Sequence, residues 1–235
     1  LSKFKEMKEL AKTDGGARKS KITGIPKLDD ANKAGTAQSS RCTLIVTEGD
    51  SAKTLAVAGL SVVGRDHYGV FPLRGKCKNV RDASVAQLTG NQEFNDLKKI
   101  LGLQQGKDYK DVSELRYGRL MIMTDADNDG SHIKGLILNM IDYFWPSLLK
   151  LGFVVSMVTP IIKASRGNQS KSFYTDSSFR TWYGNGQSGW RIKYYKGLGT
   201  STSAEAREYF KKIEDLTVKF NTDVMSDKSI TLAFD

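Results

Sequence analysis

Residues 119–135 read "RLMIMTDADNDGSHIKG". An apolar run, Leu120 to Met123, opens directly onto Asp125, Asp127 and Asp129 at alternate positions. Carboxylates this close repel one another, so a positive partner is needed to offset the repulsion. The apolar run is short and bounded, which suits a strand buried on both faces of a parallel sheet.

Upstream, "CTLIVT" (42–47) has the same texture and ends on Glu48-Gly49-Asp50-Ser51. Helix formers follow in "SAKTLAVAGLSVV", then a short strand candidate, "YGVFPL", that runs into the basic loop "RGKCKNVRDAS". "FNDLKKILGL" (94–103) reads as a helix. Beyond the acidic cluster, "HIKGLILNMIDYFWPSLLKLG" is a long helix that Pro146 bends or breaks, and "FVVSMVTPIIKAS" reads as further strand. This alternation predicts an α/β fold, a parallel β-sheet flanked by helices.

Past residue 160 the pattern changes to a smaller mixed α+β C-terminal extension. "SFYT", "WRIKYYKGLGT" and "SITLAF" are short β-like runs between Gly, Ser and Asn. One helix stands among them, "SAEAREYFKKIEDL", with Thr202 and Glu205 spaced as a capping box. At the other end, "SKFKEMKELAK" suits a short amphipathic helix and residues 13–40 read as loop. The expected organisation is a connector over 1–40, a central domain over 41–160 and the extension over 161–235.

Thirty-six Lys and Arg against 26 Asp and Glu give a net charge of +10, which favours a polyanionic partner over a merely solubilising surface. The two cysteines, Cys42 and Cys77, make neither a disulfide framework nor a zinc spacing. No apolar run reaches the about 20 residues of a membrane span. The chain opens on Leu1 rather than Met, as expected for a piece of something longer.

Four readings of the acidic cluster compete. An EF-hand loop counted from Asp125 places Leu136 where a bidentate Glu is required, and the entering segment is strand-like. A phosphatase strand ending in Asp-x-Asp usually wants Thr or Val where Asp129 stands. A solvated acidic turn at a helix N-terminus explains one Asp better than three. The last reading joins both acidic strand ends: if the two strands are neighbours, Glu48, Asp125 and Asp127 converge beyond the carboxyl edge of the sheet. Such hard oxygen ligands suit Mg²⁺, and Arg74-Gly75-Lys76 could meet the same phosphate, an arrangement for phosphoryl transfer.

In order along the chain, "GIPKLDDAN", "EGDSAKTLA", "YGVFPLRGK", "IMTDADNDGSHIKGL" and "YYKGLGTSTSAEAREYF" closely resemble the Toprim module of type II DNA topoisomerases, and span almost the whole sequence. Lys53-Thr54-Leu55-Ala56 is similar to the eukaryotic single-chain form more than to bacterial gyrase. The resemblance implies that Glu48, Asp125 and Asp127 are the metal-dependent catalytic acids. They would hold Mg²⁺, for which Mn²⁺ or Ca²⁺ substitutes, with Asp129 supporting them. It implies DNA contacts from Arg74, Lys76, Lys78 and Asn79, with Asp50, Ser51 and Gly75 beside the cleavage point where poisons lodge. For Asp50 and Ser51 a simple helix N-cap is the competing reading.

The partners implied are double-stranded DNA and, in the full-length enzyme, a second copy of the chain. ATP is used only by the full-length enzyme, the location implied is the nucleus, and no membrane is involved. The family's nucleophilic Tyr belongs to a winged-helix domain in an Arg-x-x-x-Ala-Arg-Tyr context, which none of the nine tyrosines has. Cys77-Lys78 replaces an apolar pair common in the family's basic loop, adding a charge. Outside this reading stand a non-catalytic DNA-binding scaffold and a Toprim-type nuclease or primase, which lack the PLRGK and KGLGT blocks.

Overall fold

The computed structural model describes residues 2–15, 21–74 and 77–220. In chain order the elements are α1 (Ser2–Ala11), β1 (Thr43–Glu48), α2 (Gly49–Val63), β2 (Tyr68–Leu73), α3 (Val85–Thr89) and α4 (Gln92–Leu101). Next come β3 (Arg119–Met123), α5 (Asn128–Phe144), α6 (Pro146–Lys150) and β4 (Val154–Met157). The remainder is β5 (Ile162–Arg166), β6 (Gln169–Phe173), α7 (Asp176–Gly184), β7 (Arg191–Tyr194), α8 (Ser203–Lys211) and β8 (Thr217–Lys219).

The first sheet runs β2-β1-β3-β4-β8, parallel except for β8 at its edge. Its strands are nearly continuous apolar runs because both faces are covered. Successive side chains point to opposite faces. Leu44, Val46, Phe71, Leu120 and Ile122 therefore join one core, shared with α4, α5 and α6. Ile45, Val70, Met121, Met123 and Val155 join the other, under α2 and α8. The α/β architecture expected from the alternation is the one observed.

Two details differ from the sequence reading and one, the break at Pro146, agrees with it. The run 153–165 is two strands in different sheets, β4 and β5, separated around Thr159-Pro160. The long helix does end before Pro146: Trp145 leaves helical geometry at φ −141° and ψ 59°, and α6 restarts with Pro146 in its first turn. Within the extension, α7 is a helix that the Ser- and Asn-rich surroundings concealed, N-capped by Thr175 through the Ser178 N–H. The run 229–234 lies outside the described residues.

The segment before the first sheet is loop, as expected, yet it is pinned to the body. Asp30 takes a bidentate ion pair from the buried Arg116 guanidinium, with Nη2–Oδ2 at 2.6 Å, and accepts from the Tyr117 hydroxyl. The backbones of Asp29 and Val70 exchange hydrogen bonds at 2.9 and 2.8 Å, closing the free edge of β2. Lys98, with no exposed side chain, reaches Asp14 at 2.6 Å and the Leu10 carbonyl at 2.7 Å. Burial lowers its pKa against the pull of Asp14.

The extension returns to the main body. β5, β6 and β7 form a small antiparallel sheet over Ile162, Ala164, Phe173 and Phe179, while α8 packs on α2 and β8 pairs with β4. The α2–α8 crossing passes through Gly59, where a Cβ would lie 2.2 Å from the ring of the buried Phe210. Gly59→Ala therefore overpacks this interface and is expected to cost about 1–3 kcal/mol in a urea melt. An unchanged midpoint would show that the Phe210 ring moves aside without penalty.

Candidate metal centre

β1 and β3 are immediate parallel neighbours, with Thr47 opposite Met123, so both strands deliver their acidic ends to the same edge of the sheet. Glu48 is the last residue of β1 and half-buried; Asp125 and Asp127 follow β3. Convergence of Glu48, Asp125 and Asp127 depended on that adjacency, and the adjacency is present.

Asp127 and Asp125 each spend one oxygen on a backbone donor. Asp127 N-caps α5, its Oδ1 accepting from the Gly130 N–H at 2.7 Å. Asp129 sits in the first turn of the same helix, where the helix dipole favours negative charge. Asp125 Oδ1 accepts from the Leu198 N–H at 2.6 Å, a contact spanning 73 residues of sequence. Gly130 and Gly197 both crowd Asp125: a Cβ on Gly130 would lie 2.0 Å from the Asp125 carbonyl oxygen, and one on Gly197 2.4 Å from Oδ2.

Glu48 differs. Its Oε2 is buried without a hydrogen-bond partner. Burial raises its pKa above the ordinary carboxylate value, and the charges of Asp125, Asp127 and Asp129 push the same way, against a hydrogen bond from the Asp125 backbone. A buried acceptor lacking a donor, inside a ring of like charges, is costly unless a cation completes it. Among the described residues no group of three or more His, Cys, Asp or Glu side chains already stands arranged to hold a metal ion. The donor set nevertheless fits a hard divalent cation, because hard cations take carboxylate oxygens and water together.

Glu48, rather than Asp50 or Ser51, occupies the N-cap position of α2, and it makes no side-chain cap. Asp50 and Ser51 lie in the first turn, Asp50 paired with Lys27 at 3.1 Å. Ser51 lines a groove of about 320 Å³ together with Thr54, Leu198, Gly199, Ser201 and Ser203.

On the basic loop, Arg74 and Lys78 are exposed, while Gly75 and Lys76 lie outside the described residues. The Arg74 N–H donates to the Glu93 carboxylate. Asn79 is engaged inside the loop: its Oδ1 accepts from Asn139 at 2.7 Å and from the Arg81 N–H at 3.2 Å. Arg81 in turn bonds Asn139 at 2.6 Å and Asp142 at 3.0 Å, tying the loop to α5. Burial, with the charge of Glu93, pushes the Cys77 thiol up to about 12, so it stays protonated at neutral pH.

Sequence reasoning saw the KGLGT block but not its contact with Asp125, since a backbone donor has no residue signature. It read Glu205 only as a cap. Glu205 Oε2 does accept from the Thr202 N–H at 2.8 Å, and the carboxylate also takes Lys193 at 2.9 Å and the Tyr195 hydroxyl at 2.5 Å. Burial raises its pKa, but the hydrogen bonds from Tyr195, Thr202 and Lys193 outweigh this and hold it at about 2.

Comparison with known proteins bears on the family and the fold. The family model of the Toprim domain matches residues 43–158, and that of the C-terminal associated domain of TOPRIM matches residues 157–235. A probable DNA topoisomerase 2 of Dictyostelium discoideum is 54% identical over 237 residues, covering 100% of this chain and 16% of that protein. DNA topoisomerase 2-beta of Homo sapiens is 56% identical over 238 residues, covering 99% and 15%. The crystal structure of the Plasmodium falciparum topoisomerase II DNA-binding, cleavage and re-ligation domain superposes with a TM-score of 0.87 at 53% identity, over 92% of this chain and 30% of that one. The chain belongs to the Toprim family, in the form found in eukaryotic DNA topoisomerases 2. It spans only 15–16% of the length of these relatives.

The raised pKa of Glu48 has a testable sign. Between its ordinary value and its raised one, the folded chain binds the proton more tightly than the unfolded chain, so stability falls as pH rises through that window. Glu48→Gln removes the charge and is expected to raise the urea midpoint of the metal-free chain at neutral pH. The gain should shrink as pH falls through the raised value and vanish below the ordinary one. A pH-independent difference would mean that the carboxylate charge is not its source.

Proposed function

We propose that this chain is the Mg²⁺-binding part of the DNA cleavage–religation core of a type II DNA topoisomerase, an enzyme that passes one duplex through a transient double-strand break. The observation that carries the reading is the buried, unpartnered oxygen of Glu48 among the charges of Asp125, Asp127 and Asp129. A non-catalytic scaffold gains nothing from such a centre and bears its cost. In the full-length enzyme we assign ATP use to another domain, a homodimeric assembly and a nuclear location. Residues 1–40 would serve as the connector and 161–235 as the extension toward the cleavage partner. Among the described residues no helix is long and apolar enough to cross a membrane.

In this mechanism Glu48, Asp125 and Asp127 would hold Mg²⁺, supported by Asp129. Bound there, Mg²⁺ would supply Lewis-acid stabilisation of the charge that develops as the phosphodiester is cut. Arg74, Lys76 and Lys78 neutralise neighbouring phosphates, positioning the backbone without reading sequence. Asn79 keeps the loop in register with α5, whose N-terminus carries Asp127 and Asp129. Asp50, Ser51 and Gly75 border the point of cleavage. The attacking hydroxyl comes from a tyrosine outside these 235 residues, since none of the nine here has the required context.

Two experiments test this. In the full-length enzyme, Glu48→Ala or Asp125→Ala should leave DNA binding largely intact while cutting covalent protein–DNA adduct formation about a thousandfold, because the cation acts on charge present mainly in the transition state. Adduct capture on supercoiled plasmid with Mg²⁺ measures it, and normal adduct yield from either variant would refute the assignment. Separately, Lys76→Ala or Lys78→Ala should lower the slope of log affinity against log salt by about one, uniformly across DNA sequences. A sequence-dependent loss would instead mark a base contact.

A further inference from the structure

Asp125 is fixed from two directions that have nothing to do with its own strand. Its Oδ1 accepts from the Leu198 N–H at 2.6 Å, and its carboxylate rests against Gly197, where a Cβ would come within 2.4 Å of Oδ2 and 2.8 Å of Cγ. Gly197 and Leu198 sit in the link between β7 and α8, with a 3₁₀ turn over Leu198–Thr200. That link is held at both ends by one side chain. Glu205 in α8 takes Lys193 and Tyr195 on the β7 side and the Thr202 N–H on the α8 side. Leu198 is itself buried against the α2–α8 core.

We infer that the Gly197–Leu198 turn, clamped by Glu205, is a positioning element for the Asp125 carboxylate, so that the metal centre is completed by the extension rather than by the Toprim sheet alone. The inference rests on the metal-binding reading above. A carboxylate that accepts a bond from a fixed backbone N–H and packs against a fixed turn has its orientation set before any cation arrives; partners of this kind are worth about 10- to 100-fold in metal affinity. Gly197 offers a clean probe. Its backbone is extended, with φ −164°, a conformation any residue adopts. A methyl group there strains no dihedral, and the group it meets is the end of a side chain, which can move. The fold should survive and the carboxylate should not stay where it is.

The test is Mn²⁺ binding to this chain, read by electron paramagnetic resonance of the free ion, alongside thermal melting. Wild type, Asp125→Ala, Gly197→Ala, Leu198→Ala and Glu205→Gln are compared. Gly197→Ala should weaken Mn²⁺ binding about 10- to 100-fold with little change in melting temperature. Leu198→Ala keeps the N–H but loses a buried side chain, so it should lower the melting temperature while its Mn²⁺ affinity, measured well below the melt, stays near wild type. Glu205→Gln should fall between, weakening binding by loosening the clamp. If Gly197→Ala binds like wild type while Asp125→Ala does not, the positioning role is overturned and the metal reading stands. If affinity tracks melting temperature across all variants, the turn is merely structural. Equal binding by wild type and Asp125→Ala would overturn the metal reading itself, and the inference with it.

Discussion

Everything at this site follows from the parallel register of β1 and β3. Two parallel neighbours end on the same edge of a sheet, so the loops that leave them must share space. Here both loops begin with acids. The protein meets the repulsion piecemeal: a backbone donor for Asp127 at the head of α5, another for Asp125 from Leu198, and the dipole of a 17-residue helix beneath Asp129. Glu48 is left with one buried oxygen, Oε2, that has no donor. The deficit is local, and it is of the kind that a hard divalent cation offsets.

The sheet is also braced by a segment outside it. Asp30 with Arg116 and Tyr117, and Asp14 with Lys98, anchor a loop-rich N-terminal segment through buried charges. Such pairs add little net stability, but removing one partner strands a charge and costs about 3–5 kcal/mol. Their use here is to fix where the chain runs. The Asp29–Val70 bridge covers the edge of β2, and Lys53, in the helix that follows Glu48, reaches both Asp29 at 2.9 Å and the Lys27 carbonyl at 2.8 Å. The N-terminal segment therefore touches the helix that follows Glu48 and the strand that leads into the basic loop.

How much of this was legible varied with the kind of signal. β1 and β3 announced themselves because a strand buried on both faces is a continuous apolar run. β4 and β5 were fused for the same reason: Ile161 and Ile162 keep the run apolar across Pro160, and only topology separates them into two sheets. The helix α7 has Phe179, Trp182 and Tyr183 at helical spacing, yet its flanks of Ser, Asn and Gly read as loop. Glu48, Asp125 and Asp127 were legible as residue types, whereas their meeting required a strand order that periodicity does not encode. Asn79 is a similar case. The resemblance assigns it a contact with DNA, and the structure adds what the sequence did not show, bonds of its amide with Asn139 on α5 and with Arg81 and Asp82 within the loop.

The donor to Asp125 belongs to a class that sequence reading misses on principle. A main-chain N–H is supplied by every residue but proline, so its partner cannot be inferred from composition. What the sequence does retain is the space around it, in the glycine that lets Asp125 approach and in the Glu205 cap that fixes the turn. This arrangement has a mechanical consequence. Asp125 hangs from the first sheet by its own backbone and from the extension by its carboxylate, so relative motion of β7 and α8 against β3 would reorient that carboxylate without disturbing the sheet. A centre built wholly on the carboxyl ends of β1 and β3 would be indifferent to such motion. One shared between two layers responds to whatever moves the second.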